Sequence, residues 1–103
     1  MEPTALNISE QEITQSAEIL RALAHPLRIK ILGYIDENPG TNVKHIYDQL
    51  NLEQSITSQH LRILRSTGLV LPERNGKFIN YCLNYAQLGK SIQLVKDFLA
   101  TEE

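Results

Sequence analysis

The chain has a single cysteine, Cys82, in 103 residues, so no internal disulfide is possible, and this fits a reducing cytoplasm. No apolar run approaches the roughly 20 residues that a membrane span needs. The opening MEPTALNISEQE is acidic and polar, without the basic start and apolar stretch of a signal peptide, so a cytoplasmic protein is expected. Internal repeats, low-complexity tracts and long linkers are all missing. Residues 1–103 therefore read as one domain with a single small core. Also missing are a nucleophile–base pairing, a glycine-rich phosphate loop, a metal cluster and room for a cofactor domain. An enzyme is not expected.

An overall excess of positive charge is lacking too. The net charge is −2, and hydrophobic residues make up 42%. That balance is unevenly distributed. Residues 54–81 hold Arg62, Arg65, Arg74 and Lys77 against Glu73 alone, a balance of +3. The remaining residues hold six basic and eleven acidic side chains, a balance of −5. A surface that binds phosphates needs local potential rather than a basic protein.

What is present is mostly helical periodicity. Residues 9–23 place Ile13, Ala17, Leu20 and Ala24 at helical spacing behind Ser9-Glu10-Gln11-Glu12, which has the form of a capping box. His25-Pro26 interrupts, because the residue before proline avoids helical geometry while proline suits a first turn. A second helix over residues 26–36 is expected to bury Leu27, Ile31, Leu32 and Ile35, and Asn38-Pro39-Gly40 ends it. A third, over residues 43–50, carries Val43, Ile46, Tyr47 and Leu50. Asn51-Leu52-Glu53 is a turn, and a fourth helix runs to about Ser66 before Gly68 stops it.

The third helix, tight turn and fourth helix form a helix-turn-helix. A rotation of ~100° per residue places Ile56, His60, Leu61, Ile63 and Leu64 of the fourth helix toward the core. Ser55, Ser58, Gln59, Arg62 and Ser66 fall on the opposite side, with Gln54 and Arg65 at the margin. Ser and Gln offer hydrogen bonds to base edges, and Arg pairs with guanine or phosphate. An isolated helix with such a face would be ordinary solvated surface. The flanking turn and the ribbon that follows favour the DNA reading.

In that ribbon two extended runs flank Asn75-Gly76, whose residues both tolerate the positive φ of a type I′ turn. Alternation on the return strand points Ile79, Tyr81 and Leu83 inward, and Arg74 and Lys77 bracket the tip, in reach of phosphates or the minor groove. The last helix, over residues 85–100, has a stripe of Leu88, Ile92, Val95 and Leu99 widened by Leu94 and Phe98. Wide apolar faces on both terminal helices of so small a domain point to a surface shared with a second copy. The expected interface is Ile13, Ala17, Leu20, Leu88, Ile92, Val95 and Leu99.

Three stretches together, ALAHPLRIKIL (residues 22–32), SITSQHLRILRSTGLV (residues 55–70) and ERNGKFINYCL (residues 73–83), resemble the ArsR/SmtB family of bacterial winged-helix repressors. The resemblance covers about residues 10–100. It implies a mainly α (α+β) winged helix-turn-helix of about five helices and a two-stranded β-hairpin wing. It also implies a homodimer joined through helices 9–23 and 85–100, and repression at a palindromic operator relieved by an effector. Matching positions carry DNA contact to Gln54, Ser55, Ser58 and Gln59, with Arg62, Arg74 and Lys77 on phosphates.

The chain departs from that family where metals are sensed. Many members hold metal through Cys-x-Cys near the start of the third helix; here the segment is Asn42-Val43-Lys44-His45. Others use Asp, His and Glu on the last helix, where this chain has Gln87, Lys90, Gln93, Lys96 and Asp97. Soft or borderline metals want several converging thiolate, imidazole or carboxylate ligands. Neither familiar metal site is expected, and no cofactor. His60 reads as packed and hydrogen-bonded near the core, His25 as a helix boundary, His45 as surface, and Cys82 as small packing filler on a wing strand. The expected function is a sequence-specific DNA-binding regulator whose effector the sequence does not name. The alternative is a winged-helix interaction module without DNA binding.

Overall fold

The computed structural model describes the backbone of residues 9–101 and the side chains of residues 9–93. The elements run α1 (Glu10–Leu23), α2 (Pro26–Glu37), β1 (Thr41–Asn42), α3 (Val43–Leu50), α4 (Gln54–Ser66), β2 (Val70–Asn75), β3 (Phe78–Leu83) and α5 (Tyr85–Thr101). The fold is a mainly helical winged helix.

Local chemistry accounts for the helix boundaries. Ser9 Oγ accepts from the Glu12 N–H at 3.1 Å while the Glu12 carboxylate accepts from the Ser9 N–H at 2.8 Å, closing the expected capping box. His25 caps α2 by accepting from the Leu27 N–H through Nδ1 at 3.2 Å, with Pro26 in the first turn where its missing donor does no harm. Asn42 caps α3, its side-chain oxygen accepting from the His45 N–H at 2.9 Å. Asn51 ends α3 at φ 56°, a left-handed conformation that asparagine tolerates. That twist lets the Leu52 N–H return to the Tyr47 carbonyl at 2.9 Å and aims the chain into α4.

The core gathers around α2 and α4. Ile31, Ile35, Ile46, Leu61, Leu64, Leu69 and Val70 are all at most 2% exposed, and Tyr81 and Leu83 of β3 close one side. Fully burying an aliphatic side chain contributes about 1.5–3 kcal/mol. Leu27, expected inside, is half-buried at the edge of this cluster.

The sheet has three antiparallel strands in the order β1-β3-β2, one more than the expected hairpin. The added strand is only Thr41 and Asn42, pairing with Tyr81 and Asn80, too short to leave a periodic signal. The wing turn also lies one residue later than expected. Asn75 pairs with Phe78, so the two loop residues are Gly76 and Lys77. Only Gly76 has positive φ, 67°, which is the pattern of a type II′ rather than a type I′ turn. This register sets Val70 opposite Leu83 and keeps Tyr81 and Leu83 in the core.

Candidate nucleic-acid interface

α4 presents the face the sequence promised, with its phase corrected at the start. Gln54, Ser55, Gln59 and Arg62 are exposed, and Ser58 is half-buried. Ile56 is not in the core: it is 39% exposed, in the first turn of the helix. Thr57 takes the inward position instead, 0% exposed, its hydroxyl donating to the Glu53 carbonyl at 2.9 Å. The buried stripe is thus Thr57, Leu61 and Leu64, and the hydroxyl–carbonyl bond is what lets a polar residue lead it. Glu53, at the N-cap, makes no side-chain cap bond. The first N–H groups of α4 therefore carry no capping side chain.

Ser58 and Arg62 border a notch of about 220 Å³ whose other walls are Val43, Leu61, Arg65 and Tyr81. It joins the start of α3, the middle of α4 and the root of the wing in one surface. Arg65, placed at the margin of the polar face by its wheel angle, belongs to this surface. Arg74 and Lys77 are exposed on the wing, with Lys77 in the turn itself. The wing also shows water two apolar side chains the sequence did not single out, Leu71 at 50% and Phe78 at 62% exposure. Alternation did contain that signal, since both sit outward when Tyr81 and Leu83 sit inward.

Away from its exposed polar face, α4 is tied to α2 by a polar contact. Arg28 Nε donates to His60 Nδ1 at 3.2 Å, and the His25 and His60 rings meet edge to face with centroids 4.8 Å apart. Burial first, then the neighbouring His25 and Arg28, hold the His60 pKa below its ordinary value. The expected roles of His60 as a packed, hydrogen-bonded residue and of His25 as a helix boundary both agree with this geometry. His45 is exposed, and Cys82 is half-buried on β3. Among the described residues, no three His, Cys, Asp or Glu side chains come together in a way that could hold a metal ion.

The terminal helices carry exposed apolar residues: Ile13 at 50% and Leu20 at 38% on α1, and Ile92 at 52% on α5. Ala17 and Leu88 are half-buried. Leu94, Val95, Phe98 and Leu99 lie outside the residues whose side chains are described. α5 is anchored by the Tyr85 hydroxyl, which donates to the Asp36 carboxylate, and by Gln87, whose amide donates to the Thr67 carbonyl at 3.1 Å. No helix among the described residues is long and apolar enough to cross a membrane.

A sequence profile described as "Bacterial regulatory protein, arsR family" matches residues 25–71, from the α2 cap to the start of the wing. The transcriptional repressor PagR of Bacillus anthracis is 36% identical over 89 residues, a span of 85% of this chain and 88% of PagR. The chain belongs to the ArsR family. It carries the winged-helix DNA-binding domain of that family. The HTH-type transcriptional repressor SmtB of Mycobacterium tuberculosis is 42% identical over 74 residues, 71% of this chain. This ArsR-family chain spans 54% of SmtB, about half its length. The crystal structure of PagR superposes with a TM-score of 0.70 at 32% identity, covering 84% of this chain and 99% of PagR. A homodimeric winged helix-turn-helix DNA-binding domain from Mycobacterium bovis, described as a possible ArsR-family regulator, superposes at 0.71 with 27% identity, covering 88% of this chain and 89% of that one.

Proposed function

We propose that this ArsR-family protein is a homodimeric, sequence-specific repressor of transcription that binds a palindromic operator in the cytoplasm. The observation that carries the reading is the union of α4 and the wing in one polar, cationic surface, with Ser58, Arg62 and Arg65 meeting at the notch between them. Gln54, Ser55, Ser58 and Gln59 read base edges in the major groove, where side-chain amides and hydroxyls discriminate. Arg62, Arg74 and Lys77 hold phosphates and set the register.

Two copies meet through α1 and α5, over Ile13, Ala17, Leu20, Leu88, Ile92, Val95 and Leu99. Exposed aliphatic residues on both helices support that surface, as does the homodimeric state of the M. bovis neighbour. Two-fold symmetry matches half-sites about one helical turn, ~34 Å, apart. Repression follows if the operator overlaps a promoter, and both SmtB and PagR are transcriptional repressors.

The test is fluorescence anisotropy on duplexes selected from random sequence, over a range of salt. A saturable preference for a palindrome over scrambled duplex, with log affinity falling linearly against log salt, supports the reading. Equal affinity for all duplexes at every salt concentration overturns it.

A further inference from the structure

A second polar surface lies behind α4. An open cleft of about 490 Å³ separates the end of α1, the start of α2 and the end of α4, and Glu18, Arg21, His25, Arg28, Ser66 and Thr67 are among the residues that line it. It is unlike the apolar core beneath it, and it holds two guanidinium groups. Among the described residues neither Arg21 nor Arg28 forms an ion pair; the single pair there is Lys44 with Asp48 on α3.

Two of the donors around the cleft, Arg28 and His25, are already oriented. Arg28 commits one N–H, at Nε, to His60 and retains the four on its terminal nitrogens. His25 Nδ1 accepts from the Leu27 N–H, so its neutral ring carries its proton on Nε2 as a donor. Ser66 and Thr67 spend their hydroxyl protons on the carbonyls of Ile63 and Leu64 and add no donors. α2 begins here with no acidic residue in its first turn, so the positive end of its dipole is uncompensated. Two guanidinium groups without an ion-pair partner among the described residues, an imidazole N–H and a helix start face one space, against the lone carboxylate of Glu18. Guanidinium forks match the paired oxygens of phosphate and carboxylate.

We propose that this cleft binds a small anion bearing a phosphate or clustered carboxylates, held by Arg21 and Arg28 with His25 as an added donor. The site reaches α4 through Arg28, which holds His60 of that helix, so its occupancy is sensed by the reading element. The binding claim stands apart from the DNA reading; only the regulatory consequence rests on it.

The experiment uses the full chain without DNA. Inorganic phosphate and citrate are titrated separately while side-chain N–H resonances of arginine and histidine are followed by NMR, with sodium chloride at matched ionic strength as the control. Saturable shifts at Arg21, Arg28 and His25 with either anion, absent with chloride, are expected. Response to phosphate alone or to citrate alone distinguishes the two sources of the shared chemistry. Arg21→Gln should weaken binding about tenfold through loss of one charge-assisted pair, and Glu18→Gln should tighten it. Arg28→Gln should also weaken binding; because it loses the His60 contact as well, Arg21→Gln decides if that variant does not fold. Shifts that never saturate, that chloride reproduces, or that survive Arg21→Gln unchanged overturn the proposal. So does a flat anion titration in which both arginine variants lower the salt slope of DNA binding, because the cleft would then be meeting the DNA backbone.

Discussion

The side-chain amide of Gln87 donates to the main-chain carbonyl of Thr67 at 3.1 Å, joining the first turn of α5 to the residue that caps α4. The bond crosses from the helix proposed to pair two copies to the helix proposed to read DNA. Gln87 is itself held in place: its N–H donates to the Asn84 side-chain oxygen at 3.2 Å, and its carbonyl accepts from the Ser91 hydroxyl at 2.9 Å. Replacing Gln87 with Ala should lower stability by about 1 kcal/mol, since a partly buried carbonyl loses its donor. Urea unfolding measures that. Amide exchange should quicken at residues 67–69 and stay unchanged within α3.

The reading face and the wing should fail in different ways. Gln59→Ala should remove about 1–3 kcal/mol of discrimination at particular base pairs and leave binding to scrambled duplex nearly as it was. Lys77→Ala should weaken all duplexes alike and reduce the salt slope by about 0.9, the share of one phosphate contact. Anisotropy titrations on operator and scrambled DNA at several salt concentrations separate the two. If neither change altered either quantity, α4 and the wing would not be the DNA surface.

Acid should weaken the contact between α2 and α4. The folded protein holds the His60 pKa below its ordinary 6.5, chiefly through burial and then through His25 and Arg28. The unfolded chain therefore takes up the proton more readily than the folded one. Stability from this group is fully present above pH 6.5 and is lost as the pH falls through that value toward the lower folded pKa. His60→Gln should flatten the pH dependence of unfolding in this window. An unchanged slope in the variant would assign the acid sensitivity to other groups.

The proposed dimer depends on aliphatic side chains that water now touches. Leu20→Glu or Ile92→Glu places a carboxylate where the second copy would desolvate it, at a cost of several kcal/mol in an interface. Each variant should sediment as a monomer with unchanged helical content, and each should lose affinity for a full palindrome more than for a half-site. Sedimentation velocity over a dilution series checks this.

Much of this structure was legible in the sequence, because strong local signals coincided with the burial pattern. Ser9 with Glu12, His25 with Pro26, and the Asn51 turn each mark a helix boundary through a single hydrogen bond or backbone preference. The polar face of α4 was legible too, since a helix alternating polar and apolar residues at a 3.6 period has few ways to pack. Three features escaped. Ile56 was placed inside because hydrophobicity was read without the compensating bond that lets Thr57 go in. The wing turn slipped by one residue because Asn75-Gly76 and Gly76-Lys77 both offer a glycine, and only the pairing of Val70 with Leu83 selects between them. β1 escaped because its two residues are defined by a partner some forty positions away.

That short strand has a mechanical consequence. Gly40 donates to the Tyr81 carbonyl at 2.9 Å and Thr41 pairs with Tyr81, so the segment entering α3 is stitched to the strand that carries the wing. Wing and helix-turn-helix are thereby welded into one paddle. A signal reaching this protein would find it hard to tilt the recognition helix while leaving the wing behind. In the proposed dimer the softer coordinate would be the angle between the two paddles, set where α1 and α5 of the two copies meet, and an inducer would act most economically by changing the spacing at which the paddles meet the double helix.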